Sequence, residues 1–297
     1  MAFRYTARWW APFLLLFLLA CGEQPVELRF DPPAGKPMNY LFSFVIQQQY
    51  MGQAVNSTMQ MGLSLQQTGE ERGEKILTAS YHRFSLRMES GGAMVLELDT
   101  DQPNPTKAAI RENTALLQGR ILHALLGQAF TMRVNQLGEI SAVSGLDSIA
   151  DRIAQVVVTD LDLPVSQLEL VRSTASGQFN EESVKKTLQL SMNIYPGKPV
   201  KTGDQWERTV EVNQGYPLTV QTVFTVTGIS KQGIILEGRS TLTGKMGDTH
   251  LEGTQTSQLE LDPVSGLVKK GEIRQEVKGL QNNAPITITN TGSIILQ

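Results

Sequence analysis

A single cysteine, Cys21, stands in 297 residues, so no disulfide within the chain can hold this fold and packing must do so. Histidine is scarce too. His82, His123 and His250 lie far apart, and no H-E-x-x-H or close pair offers zinc spacing. No G-x-S-x-G elbow is present, so nucleophilic catalysis has no signature in the chain. Basic residues are not in excess: 26 Lys and Arg face 29 Asp and Glu, with no basic patch to invite nucleic acid. The longest apolar run, from Ala11 to Ala20, is about half the roughly twenty residues that a bilayer-spanning helix needs.

That short run has the layout of a secretory signal. Arg4 and Arg8 form a positive n-region, and residues 11–20 form an apolar stretch ending in a small residue. Leu18-Leu19-Ala20-Cys21 resembles the lipobox of bacterial lipoproteins, in which the peptide is cut before a cysteine that carries a diacylglyceryl group. The resemblance implies residues 1–20 as signal peptide, cleavage between Ala20 and Cys21, and lipid attachment at Cys21. Two or more acyl chains, palmitate-like in length, make a lasting anchor where one would not. Gly22 in place of Asp resembles the case directed to the outer membrane, and the domain is expected to face the periplasm. Cleavage leaves 24 basic and 29 acidic side chains, a net charge of −5. Residues 21–25 are then the anchor and a tether whose four residues after Cys21 reach about 14 Å.

Beyond the tether, residues 26–297 read as one β-rich domain. Val26, Leu28 and Phe30 alternate with polar residues as a half-buried strand does, before Asp31-Pro32-Pro33-Ala34-Gly35 breaks the run. Strands over 40–49, 58–68, 75–89 and 93–99 follow, separated by Gly-rich turns, and form an antiparallel meander. Met59, Met61, Leu63 and Leu65 share one face, as do Phe84, Leu86 and Met88, so that face needs a cover. Asn104-Pro105 reads as the start of a helix carrying Ile110, Leu117, Ile121 and Leu125 to Gly127. A hairpin over 130–143 leads to a second helix, with Leu146, Ile149, Ile153 and Val156 on one side, that ends by Pro164. Residues 166–178 read as irregular or partly helical. Asn180 caps a third helix. Six strands rich in Thr, Val and Ile fill 206–296.

The expected fold is therefore α+β: a large curled antiparallel sheet of roughly eleven strands with about three helices on one face. A faint internal echo suits a duplicated meander, with pseudo-repeats at 26–145 and 195–297 around a helical middle at 146–194. Unrelated antiparallel meanders resemble one another in the same way.

The stretch Tyr195 to Trp206 carries P-x-x-P-V-x-x-G-D-x-W, and weaker likeness extends to Gly138-Glu139-Ile140 and to D-x-x-S-G-L at Asp262 to Leu267. With these motifs the chain resembles a family of uncharacterised bacterial envelope proteins, a domain of unknown function, which implies no activity. Physically the motif reads as an extended approach, a Gly203-Asp204 turn and a Trp206 anchored in the core. At the level of architecture, a curled sheet with helices across its concave face is also similar to the lipoprotein carriers and lipid-binding lipoproteins of bacterial envelopes.

Several constellations resemble sites of chemistry. Asp248, His250 and Glu252 share a strand face at nearly 7 Å spacing, too far apart for easy joint ligation. Asp99, Asp101 and Asn104 resemble a calcium loop, but Pro103 interrupts it. Asp160 and Asp162 read as a polar loop, and Lys185-Lys186 as helix-end charge. The methionine bias is the informative one, since Met38, Met51, Met59, Met61, Met88 and Met94 crowd the first meander. Methionine adapts to varied shapes, which suits a cavity for an acyl chain as well as a core patched with flexible side chains. The candidate ligand-binding set is Met59, Met61, Phe84, Leu86, Met88, Leu117 and Ile121. The expected function is non-catalytic binding of a hydrophobic ligand or lipid by a membrane-anchored envelope lipoprotein, with no metal, cofactor or nucleic acid. The alternative is a structural or assembly partner of another envelope protein.

Overall fold

A computed structural model describes residues 24–213, 217–247, 249–281 and 284–297. Residues 1–20 and Cys21, with the expected cleavage and lipid-attachment positions, lie outside the described residues, as does Asp248.

The chain opens with a two-residue strand, β1 (Val26–Glu27). The first meander follows as β2 (Pro37–Tyr50), β3 (Gln53–Glu71), β4 (Glu74–Ser90) and β5 (Ala93–Asp99). Two helices, α1 (Lys107–Glu112) and α2 (Leu116–Leu125), precede the hairpin of β6 (Ala129–Val134) and β7 (Ile140–Ser144). Three more follow: α3 (Leu146–Asp160), α4 (Leu168–Gln178) and α5 (Glu181–Met192). A short β8 (Pro199–Val200) pairs with β1. The second meander is β9 (Gln205–Asn213), β10 (Pro217–Ile229), β11 (Ile234–Met246), β12 (Thr249–Leu261), β13 (Val268–Gln281) and β14 (Ala284–Leu296).

Twelve of these strands make one antiparallel, unclosed sheet in the order β7-β6-β4-β3-β2-β14-β13-β12-β11-β10-β9, with β5 also on β4. Alternation decides its two faces. Along β11 and β12 every second residue is buried or nearly so, while Arg239, Thr241, Glu252, Thr254 and Gln258 are exposed. The outer face of β13 carries Glu272, Arg274, Glu276 and Lys278, also exposed. A transmembrane barrel needs an outward apolar band. This sheet turns its polar side outward and its apolar side in. Among the described residues no helix is long and apolar enough to cross a membrane.

The inner face carries glycine where neighbouring strands approach closely. At Gly244 and Gly253 an added Cβ would collide with the carbonyls of Pro217 and Glu276, so neighbouring strands close in where a side chain would hold them apart. The helices fill the concavity. Ile149, Ala150 and Ile153 of α3, Ala175 of α4, and Leu188 and Met192 of α5 share one buried cluster with Leu63, Leu77, Phe130 and Met132 of the sheet. A second, smaller cluster gathers Val210, Val212, Leu218, Leu242, Leu251 and Val277 further along β9–β13, with Leu190 of α5 against it.

Helix α5 lies between the two edges of the sheet. On the β7 side its Gln189 Oε1 accepts from the Ile140 amide at 2.9 Å, and Glu181 Oε1 accepts from the Val143 amide at 3.1 Å. Free edge N–H groups are thereby paired by side chains, which blunts an edge that could otherwise add a foreign strand. On the β9 side, Leu190 packs with Val210 and Val212. A helix thus stands where a closed barrel would have a strand pair.

Several local expectations are corrected. Only Val26–Glu27 is extended in a sheet; Leu28 and Phe30 are buried beyond its end. The first helix starts at Lys107, capped by the Thr106 hydroxyl accepting from the Ala109 amide, and it breaks at Asn113, so one predicted helix is two. Residues 166–178, read as irregular or partly helical, are helical throughout, the end of a short 3-10 turn leading into α4. Asn180 does cap α5, accepting from the Ser183 amide at 2.9 Å. Lys185 and Lys186 sit in the middle of α5 rather than at its end, and Lys186 pairs with Glu182 one turn earlier at 2.7 Å.

Two hairpin corners meet at one point. Gly138, between β6 and β7, and Gly266, between β12 and β13, both have positive φ, at 74° and 68°. Between the two corners runs the segment after β1: the Phe30 amide donates to Gln136 O and the Asp31 amide to Ser265 O, each at 2.9 Å. Tyr195 is buried against both.

Candidate ligand-binding face

Strand register assembles the inner face into rows. One row runs Gly292, Phe44, Met59, Leu86 and Leu98 across β14, β2, β3, β4 and β5. The next toward the first cluster pairs Phe42 with Met61 and Met61 with Phe84. On the other side, Ile46 pairs with Ser57, Ser57 with Met88, and Met88 with Leu96. The five strand residues singled out from sequence therefore lie together on one wall.

That wall is only half-buried. Phe84 joins the main cluster, its ring 5.0 Å from that of Tyr81, but Met59, Met61, Leu86 and Met88 lie outside both buried clusters. Helix α2 lies over the wall's edge: a Cβ on Gly119 would stand 3.1 Å from Leu98, so this glycine lets the helix sit close to β5. Of the two helical residues predicted, Ile121 packs on the main cluster, while Leu117 is half-buried outside it. The other methionines divide: Met38 is in the core, whereas Met51 and Met94 are exposed at hairpin ends.

Across the second meander the same face changes character. The row containing Ile46 and Ser57 continues through Asn290, Gln275, Gln255, Ser240 and Thr222 to Arg208. Six adjacent strands thus place a polar side chain at one level inside the sheet, between the two apolar clusters. Thr222 Oγ1 and Ser240 Oγ are 2.8 Å apart, and Asn290 Nδ2 donates weakly to Gln275 Oε1 at 3.5 Å. Gln255 is 8% exposed and its side chain bonds no described residue. Asn290 Oδ1 and Arg208 Nε are buried without partners. Each such orphan costs about 1–3 kcal/mol unless something outside the chain satisfies it. Sequence reasoning missed this belt because only the register brings the six residues level.

The helical layer is fastened by groups that the sequence suggested were a solvated loop. Asp160 is buried at 2% exposure and accepts from Arg120 Nε at 2.8 Å. Asp162 has a positive φ of 52° and is held by both Lys107 and Arg111, which keep its carboxyl below the ordinary carboxylate range. Both tie the end of α3 to α1 and α2. Trp206 is the core anchor expected of it: its Nε1 donates to Ile194 O at 3.1 Å and its ring stacks on Phe224 at 5.8 Å.

Metal chemistry finds no geometric support among the described residues, which contain no group of three ligating side chains. His250 and Glu252 are exposed on the outer face of β12. Asp99 and Asp101 both pair with Arg83, at 3.5 and 2.6 Å. Two surface clefts of about 340 and 550 Å³ flank β9, and both carry charged linings that include Lys186 and Glu211. Neither opens on the apolar wall.

Fold and face together define a class: an unclosed antiparallel sheet curled around an apolar concavity that helices partly cover. Within it the chain belongs to a family of unknown function, DUF6263, whose model matches residues 72–268. No curated protein matches the chain. Among solved structures it is similar to one described as lipid–protein interactions in lipovitellin, at TM-score 0.52 and 10% identity over 89% of this chain. The chain spans only 25% of that protein, and the likeness is one of fold. Similarity to the COG4313 outer membrane channel from Pseudomonas putida F1 is looser, at TM-score 0.30 and 8% identity over 92% of this chain and 99% of that one.

Proposed function

We propose that the protein is a lipid-anchored envelope lipoprotein, facing the periplasm, that binds a hydrophobic ligand or lipid on its concave face without catalysing a reaction. The observation that carries this reading is the half-exposed wall of Met59, Met61, Leu86 and Met88, apolar side chains on the inner face that neither cluster absorbs. An apolar surface left open inside a sheet whose outer face is charged offers a ligand about 25 cal/mol for each Å² covered. Methionine on such a wall adapts to chains of different shape. A fold seen in lipovitellin, whose structure is described by its lipid–protein interactions, suits the same use. The anchor rests on the Leu18-Leu19-Ala20-Cys21 sequence.

The test is to express the full chain in a Gram-negative host, isolate it in mild detergent, and identify co-purifying lipids by mass spectrometry. The wild type is expected to carry a chain-bearing ligand in fixed ratio, and a folded Met59→Glu/Leu86→Glu variant to lose it. Equal, bulk-like lipid in both would overturn the reading. Cys21→Ser is expected to abolish acyl labelling and membrane fractionation; unchanged fractionation would remove the anchor.

A further inference from the structure

We infer that the ligand is an anionic amphipath, an apolar chain ending in a carboxylate or phosphate, whose head seats between Arg208 and the hydroxyls of Thr222 and Ser240. The inference rests on the proposed binding function and specifies its ligand class. Arg208 stands on the inner face of β9, two residues after Trp206, and is level with Thr222 of β10. Among the described residues its one bond is from Nη2 to the Tyr195 carbonyl, and its buried Nε finds no acceptor. Among the described residues it makes no ion pair. The acids nearest in sequence, Glu207 and Glu211, sit at the alternate positions of β9 and face away from the concavity.

The groups beside Arg208 can donate to an anion. Thr222 and Ser240 share one hydrogen bond between two hydroxyls, so one hydroxyl hydrogen stays free to donate. Gln255, opposite Ser240 on the next strand, adds an amide at the same level. An ionised head brings acceptor oxygens only, with several lone pairs, and matches this set in charge and in hydrogen-bonding sense. A cationic head would meet Arg208 with like charge. From this seat the same register row continues through Gln275 and Asn290 to Ile46 and Met88, so head seat and apolar wall stand at one level of the inner face.

Trp206 supplies the readout, being the sole tryptophan after residue 20. The full chain in mild detergent is titrated with 11-(dansylamino)undecanoic acid, and energy transfer from Trp206 is followed; Trp206→Phe must abolish it. Palmitate and hexadecyl phosphate are expected to displace the probe at concentrations about tenfold or more below hexadecanol. Arg208→Met should erase that preference while the alcohol's own affinity holds. Thr222→Val/Ser240→Ala leaves the Arg208 bond to Tyr195 in place and should narrow the preference, so a misfolded Arg208→Met leaves the test intact. Equal potency of acid and alcohol in the wild type, or a preference that both variants keep, overturns the inference and leaves hydrophobic binding standing. Absence of transfer with any probe counts against the binding function itself.

Discussion

The Tyr195 hydroxyl donates to the carbonyl of Gly266 at 3.0 Å, joining the segment after α5 to the β12–β13 corner 71 residues on. The phenol is fully enclosed, and burial pushes its pKa far above the ordinary tyrosine value, so it stays a neutral donor. Its ring meets Phe30 edge-on at 6.1 Å, and Phe30 in turn donates its amide to the other corner at Gln136. One side chain thus references both hairpin corners to the chain's first segment.

Tyr195→Phe keeps the ring and orphans the Gly266 carbonyl. The expected loss is about 1–3 kcal/mol of stability, read as a lower urea midpoint with an unchanged slope. An unchanged midpoint would mean that water replaces the bond and that the corner is not sealed.

Glycine at the two corners is required twice over. At Gly138 and Gly266 the positive φ disfavours any side chain, and a Cβ would collide with the carbonyls of Met192 and Arg29. Gly35 shares the positive φ, at 71°, but faces open space. Gly35→Ala should therefore cost about 1–2 kcal/mol, and Gly138→Ala or Gly266→Ala about 3 kcal/mol or more. Thermal unfolding of the three variants checks the order, and equal losses would contradict the packed corner.

Lys75 ties the same first segment to the β3–β4 hairpin, with Asp31 at 2.8 Å and Glu70 at 2.9 Å. The Lys75 bond holds the Asp31 carboxyl below 3.8, and the two carboxylates raise Lys75 above 10.5. With Asp31 depressed in the folded state, its contribution is present above pH 3.8 and is lost as pH falls through the lower folded value. Lys75 runs the opposite way: its contribution is full below pH 10.5 and disappears as pH rises through the raised value. Lys75→Met should flatten both limbs of a stability-versus-pH curve. Identical limbs in wild type and variant would show that the pair adds nothing.

Much of this architecture was legible because alternation and turn chemistry are local. Nearly every strand was placed to within a few residues; strand 93–99 matched at both ends, and Asn180 announced α5 by its side chain. The first helix was misread because Asn104-Pro105 has the composition of a cap, whereas the bond is made by Thr106 two residues later. Helix α4 was unreadable for the opposite reason. Ser173, Thr174, Ser176 and Gly177 weaken its propensity, and packing against α3, through Ala175 in the shared core, stabilises it instead.

The apolar wall was half visible. Met59 and Met61 declare a shared face within β3, but whether that face is filled or open depends on where α2 settles. The polar belt from Arg208 to Asn290 was invisible, since each member reads alone as one polar residue in an alternating strand. Salt links at Asp160 and Asp162 were hidden similarly, their partners lying 40 to 55 residues earlier.

The central claim is that a hydrophobic ligand covers the wall of β3 and β4. Methyl-13C methionine spectroscopy of the full chain tests it directly, because the methionines sample every environment: Met59, Met61 and Met88 on the wall, Met38 and Met132 in the core, Met51 and Met94 exposed. On titration with palmitate, the wall methyls are expected to shift together and saturably while Met38 and Met132 hold still. Shifts confined to Met51 and Met94, or no saturable shift at all, would contradict the account.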